Sequence, residues 1–188
     1  MKRKKGRFWI WTGLIVLIGL GTGWYYYGHK KTSVSVQNSE ININEKSQLR
    51  VVNKDGVFML KMIGADTKFS TTSKDGKTTE FQNVRTDTDL IYTQEKNKVV
   101  QTIKIKGKGA EASYSFILNQ TDQKIVSIPN NVKITTDGSA WWQSDAGSVA
   151  VTNHPDGTTE MIIKIDPKLI YGKDAKFPLL VKLEMELK

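Results

Sequence analysis

The chain contains no cysteine. That absence removes thiol nucleophiles, zinc–thiolate sites, disulfides and a lipidated cysteine anchor together. Histidine is nearly as scarce, with two residues. His29 adjoins a hydrophobic segment, and His154 sits in Asn153-His154-Pro155-Asp156-Gly157, which reads as a loop tip. Neither is placed as a general base. No serine lies in a Gly-x-Ser-x-Gly elbow, and there is no metalloprotease histidine pair or phosphate-cradling glycine loop. The motifs therefore assemble no catalytic, metal or cofactor site. The chain also lacks low-complexity segments and internal repeats.

Negative charge is missing from the first 39 residues, whereas seven of the 28 lysines and arginines lie at positions 2–31. The remainder sets 21 positive against 19 negative charges, a balance of +2 beside the whole-chain +9. A domain so close to neutral is a poor phosphate-backbone binder, which excludes a nucleic-acid partner.

What is present at the N-terminus is FWIWTGLIVLIGLGTGWYYYG, residues 8–28, with no charged side chain. About 20 apolar residues span a hydrocarbon core roughly 30 Å thick. Trp9 and Trp11 at one end, and Trp24, Tyr25, Tyr26 and Tyr27 at the other, sit where amphipathic rings favour the headgroup layer. Five cationic residues precede the segment and two follow it. The positive-inside bias places residues 1–7 in the cytoplasm, 8–28 as a single-pass signal anchor in the cell membrane, 29–32 as a stalk and 33–188 outside. A cleaved signal peptide is the rival, with Gly21-Thr22-Gly23 as a weak cleavage site. Gly19 and Gly23 form a small-xxx-small pair, a candidate helix-packing face.

From residue 33 onward apolar and polar residues alternate with period two, as in Val34/Val36, Ile41/Ile43, Val99/Gln101/Ile103/Ile105 and residues 181–187. Val57 and Met59 continue the pattern within the apolar run to Ile63. Asp-Gly recurs at 55–56, 75–76, 137–138 and 156–157, and supplies the positive φ that tight turns need. The pattern predicts an all-β domain, a β-sandwich of about a dozen short antiparallel strands, preceded by one transmembrane helix.

Two features invite a functional reading. Asp87-Thr88-Asp89 is either a turn feeding a strand, a calcium loop short of ligands, or part of a carboxylate pair. With Glu95 it supplies the only clustered acids for a carbohydrate-active enzyme, which needs two carboxyls roughly 5–10 Å apart across a groove. Trp141-Trp142 is the other. Neighbouring strand residues point to opposite faces, so one ring is a candidate contact for a sugar or a protein.

Residues 81–118, FQNVRTDTDLIYTQEKNKVVQTIKIKGKGAEASYSFIL, resemble a module of bacterial wall-associated and Rhs-type secreted proteins. Phe81, Asn83, Val84, Asp89, Leu90 and Tyr92 fit its opening phrase. Ile103 and Ile105 fit the next strand, and Tyr114, Phe116 and Leu118 the third. Asp137-Gly138-Ser139-Ala140-Trp141 and Phe177-Pro178-Leu179 are similar to its later turn and closing strand. Gln101 departs from the module's usual glutamate, and the terminal Ile-Asp-Pro is lacking. The resemblance implies a β-sandwich without chemistry of its own. The expected role is non-enzymatic binding or scaffolding at the cell surface, toward a wall polysaccharide or a surface protein. A membrane subunit of a surface assembly or secretion complex is the further alternative.

Overall fold

The computed structural model describes residues 32–36, 39–66, 70–120, 125–128, 132–136 and 146–188. The segment 8–28, with Gly19, Gly23 and the aromatic residues at its ends, and the pair Trp141-Trp142 lie outside the described residues. Among the described residues no helix is long and apolar enough to cross a membrane.

Residues 32–188 form one compact unit. In chain order its strands are β1 (Thr32–Val36), β2 (Ser39–Ile43), β3 (Leu49–Asn53), β4 (Gly56–Met62), β5 (Ser70–Thr72), β6 (Thr78–Arg85) and β7 (Thr88–Glu95). There follow β8 (Lys98–Ile105), β9 (Ser113–Gln120), β10 (Val126–Ser127), β11 (Lys133–Thr136), β12 (Gly147–Asn153) and β13 (Thr159–Ile165). A short helix α1 (Pro167–Tyr171) precedes the last strand, β14 (Leu179–Leu187). One sheet runs β1-β2-β3-β4-β9-β13-β12 and the other β10-β14-β8-β7-β6-β5, with β11 also on β14. Every pairing is antiparallel. The result is an all-β, sandwich-like domain.

Alternation is what drives the two sheets together. In β14 the residues Leu179, Val181, Leu183, Met185 and Leu187 are buried, and the residues between them are not. β13 does the same with Met161, Ile163 and Ile165. These inner faces join Phe58, Leu60, Tyr114 and Phe116 of the first sheet and Phe81, Leu90, Tyr92 and Ile103 of the second into one core. Each such side chain gains about 1.5–3 kcal/mol on burial. Phe81 and Tyr92 meet edge to face, with ring centroids 6.4 Å apart. In β4 the phase is opposite to a reading from Val57 and Met59. Pairing of Leu49 with Leu60 and Val51 with Phe58 turns Phe58, Leu60 and Met62 inward, and leaves Val57 and Met59 half-buried.

Three of the four Asp-Gly pairs fall in turns between strands, with φ of 141° at Gly56, 69° at Gly76 and 84° at Gly157. The fourth lies outside the described residues. Asp75 accepts from Ser73 Oγ and the Lys77 amide, and Asp156 from the hydroxyl and amide of Thr158. Those bonds hold both carboxyls below the usual carboxylate range.

Candidate functional site

The acidic pair sits where β6 turns into β7. Pairing between these strands shifts register between Phe81 and Arg85, the mark of a β-bulge. Asn83 in that bulge and Asp87 in the β6–β7 turn adopt left-handed φ of 52° and 51°. That conformation is rare except for glycine and short polar residues.

Each residue of Asp87-Thr88-Asp89 ties the bulge to a different neighbour. Asp89 is 3% exposed. Its Oδ1 accepts from the Asn83 amide at 2.8 Å and from Lys106 Nζ at 2.6 Å. Lys106 also reaches Asn83 Oδ1 at 2.7 Å, and Lys104 Nζ stands 3.8 Å from Asp89 Oδ2. Thr88 bonds across the sandwich to Tyr114 Oη at 2.9 Å. Burial pushes that phenol's pKa up, as it does for Tyr92. Asp87 Oδ2 accepts from the Gly109 amide at 3.0 Å, and the Asp87 carbonyl accepts from the Lys106 amide. A Cβ on Gly107 or Gly109 would come within 2.6 or 2.7 Å of Asp87 Oδ2. These two glycines are what allows the β8–β9 connection to close over the carboxylate.

The pair is therefore a clamp: both carboxylates are committed to amides and an ammonium. Glu95 lies six residues beyond Asp89 along β7, about 20 Å for an extended strand. It pairs there with Lys98 at 3.1 Å. Glu184 first, then Glu95, raise the pKa of the Lys98 ammonium. Asp87, Asp89 and Glu95 do not converge on one groove. Among the described residues no group of three or more acidic or histidine side chains could hold a metal ion. His154 lies in the β12–β13 turn, with Nε2 3.3 Å from Glu160 Oε2.

A concave site opens elsewhere, on the flank where β12 ends the first sheet and β10 ends the second. It is a cleft of about 340 Å³. Leu118, Gln120, Val151 and Asn153 line it from the first sheet, and Val126 to Ile128 from the other side. Val151 pairs with core residue Met161 yet is 50% exposed. The inner face of β12 thus runs past the cover of the second sheet. Periodicity finds β12 as a strand but cannot say that it lies at an edge, because sheet order is set by contacts distant in sequence.

No protein-family model matches this sequence, and neither a curated protein nor a solved structure matches it.

Proposed function

We propose that this is a non-enzymatic protein anchored in the bacterial cell membrane, with residues 33–188 outside the cytoplasm as a binding or scaffolding domain. The observation that carries the reading is the uncharged segment 8–28, with basic residues before it and aromatic residues at both ends. The resemblance of residues 81–118 to a wall-associated module supports a wall polysaccharide or a surface protein as partner. So does the flank cleft, which is concave and carries both apolar and polar side chains. Trp141 and Trp142 are the proposed contact residues. A subunit of a surface assembly or secretion complex is the second reading, favoured by the edge of β12, which no strand covers among the described residues.

Two measurements test the proposal. The full chain is expected to resist carbonate extraction from membranes, and protease added to spheroplasts is expected to digest its C-terminal domain. Recovery in the soluble fraction, or protection of that domain, would refute the anchor and its orientation. The detergent-solubilised full chain is also expected to sediment with purified wall sacculi, and Trp141→Ala or Trp142→Ala to weaken that binding at least tenfold. Unchanged sedimentation in both variants removes the tryptophans from the contact.

A further inference from the structure

β12 presents a strand edge with no partner among the described residues. Its phase can be read from the ends of the ladder. The Asp166 amide donates to the Ala146 carbonyl, and the His154 amide to the Thr158 carbonyl, both at 2.8 Å. Bonded and non-bonded pairs alternate in an antiparallel ladder. The even-numbered residues of β12 therefore bond β13. Gly147, Val149, Val151 and Asn153 point their amides and carbonyls at the open edge.

Natural sheets guard such edges with lysine, proline, bulges or very short strands. β5, β10 and β11 are short, at three, two and four residues. β1 has five. β12 has seven residues, GSVAVTN, with no charge and no proline, and pairs in unbroken register with β13.

We propose that this edge pairs with β12 of a second copy of the chain, antiparallel about a two-fold axis through Ala150. Four features of the strand favour a copy of itself. An axis at Ala150 sets Gly147 against Asn153 of the second copy and Val149 against Val151, so edge-facing residues meet edge-facing residues. An axis between residues would set odd against even positions and lose the ladder. The register also uses all seven residues, which no shifted axis does. With four bonded pairs of two bonds each, it makes about eight new hydrogen bonds. Side chains fit as well. Ala150, small and exposed, sits on the axis, where opposed Cα atoms approach to about 4.5 Å. Ser148 faces Thr152, and each exposed Val151 gains a valine neighbour. An uncharged strand brings no like-charge repulsion against its own copy. The proposal does not depend on the anchor or on the wall ligand.

The absence of cysteine makes the test clean. Ala150→Cys in the detergent-solubilised full chain places two thiols in a pair whose Cα spacing suits a disulfide, about 4.5 Å. Ser148→Cys separates them by about 14 Å, four positions along the strand. Under mild oxidant Ala150→Cys is expected to give at least tenfold more covalent dimer than Ser148→Cys. Adding Val151→Pro removes an edge-facing amide and leaves the β12–β13 bonds intact. It is expected to cut the dimer at least tenfold, with circular dichroism unchanged. Val151→Lys, which sets like charges across the axis, does the same should the proline variant fold poorly. The ratio is expected to survive Gly19→Leu and Gly23→Leu. The proposal fails if Ala150→Cys stays monomeric, or crosslinks no better than Ser148→Cys. It fails equally if dimer persists in a folded Val151 variant, or if the glycine changes abolish the ratio. Those outcomes assign the edge to another partner or the contact to another surface.

Discussion

Asp89→Ala is expected to lower stability by about 2–4 kcal/mol, read as a fall in the urea midpoint. The carboxylate is almost fully enclosed and accepts from two groups at once, with the Lys104 ammonium 3.8 Å away. Its loss orphans the Asn83 amide at the bulge and removes the closest partner of the Lys106 ammonium. Lys106 is 32% exposed, so water takes up part of the loss. That is why the estimate starts below the range of about 3–5 kcal/mol for a fully buried broken pair and does not reach its upper end. Two companions make the cause visible. Glu95→Gln removes an acid from the far end of the same strand, where the side chain is 49% exposed, and is expected to change stability by less than about 1 kcal/mol. Lys106→Met in the Asp89→Ala background is expected to recover about 1 kcal/mol, since an ammonium left with only the neutral Asn83 Oδ1 no longer needs hydration there. If Asp89→Ala costs no more than Glu95→Gln, the clamp is not what holds the bulge.

The same residues show how far the sequence alone could be read. Strand positions followed from period two, because a half-buried strand must alternate whatever its partners are. The turns at Gly56, Gly76 and Gly157 followed from the steric needs of positive φ, a local requirement. Asp89 could be placed at a strand entrance, but its ion partners could not. Lys106 lies 17 residues away and meets Asp89 through the β7–β8 pairing, in which Thr88 lies opposite Ile105. Asp87 reads as plain surface until its carboxylate is seen on the Gly109 amide. The one available hint was Lys106-Gly107-Lys108-Gly109, two glycines with no helix or hairpin to require them. The phase of β4 was legible only through its neighbour, since Val57, Phe58, Met59 and Leu60 are all apolar. The flank cleft and the open edge of β12 were not legible at all. Both depend on which strands end the sheets, and that is decided by non-local pairing.

Gln101→Met, and separately Gln94→Leu, are each expected to raise stability by about 1–3 kcal/mol. Both glutamines face the core from the second sheet. Gln101 lies opposite Tyr92 on one side and Leu183 on the other, and Gln94 opposite Val99. Gln101 is fully buried and Gln94 is 4% exposed. Among the described residues no group bonds the amide nitrogen or oxygen of either side chain. An enclosed amide without a partner costs more than an apolar chain of the same length, which keeps the volume and drops the desolvation penalty. Methionine matches the reach of glutamine at Gln101, where β8 is hemmed in by β7 and β14. The two sites are diagonal neighbours on adjacent strands, so their effects are coupled. The double variant should gain less than the sum. The readout is the urea midpoint at unchanged slope, which separates a change in stability from a change in compactness. A midpoint that falls in both single variants would mean that the amides are bonded in solution. The inner face of β7 and β8 would then be a polar network rather than a strained part of an apolar core.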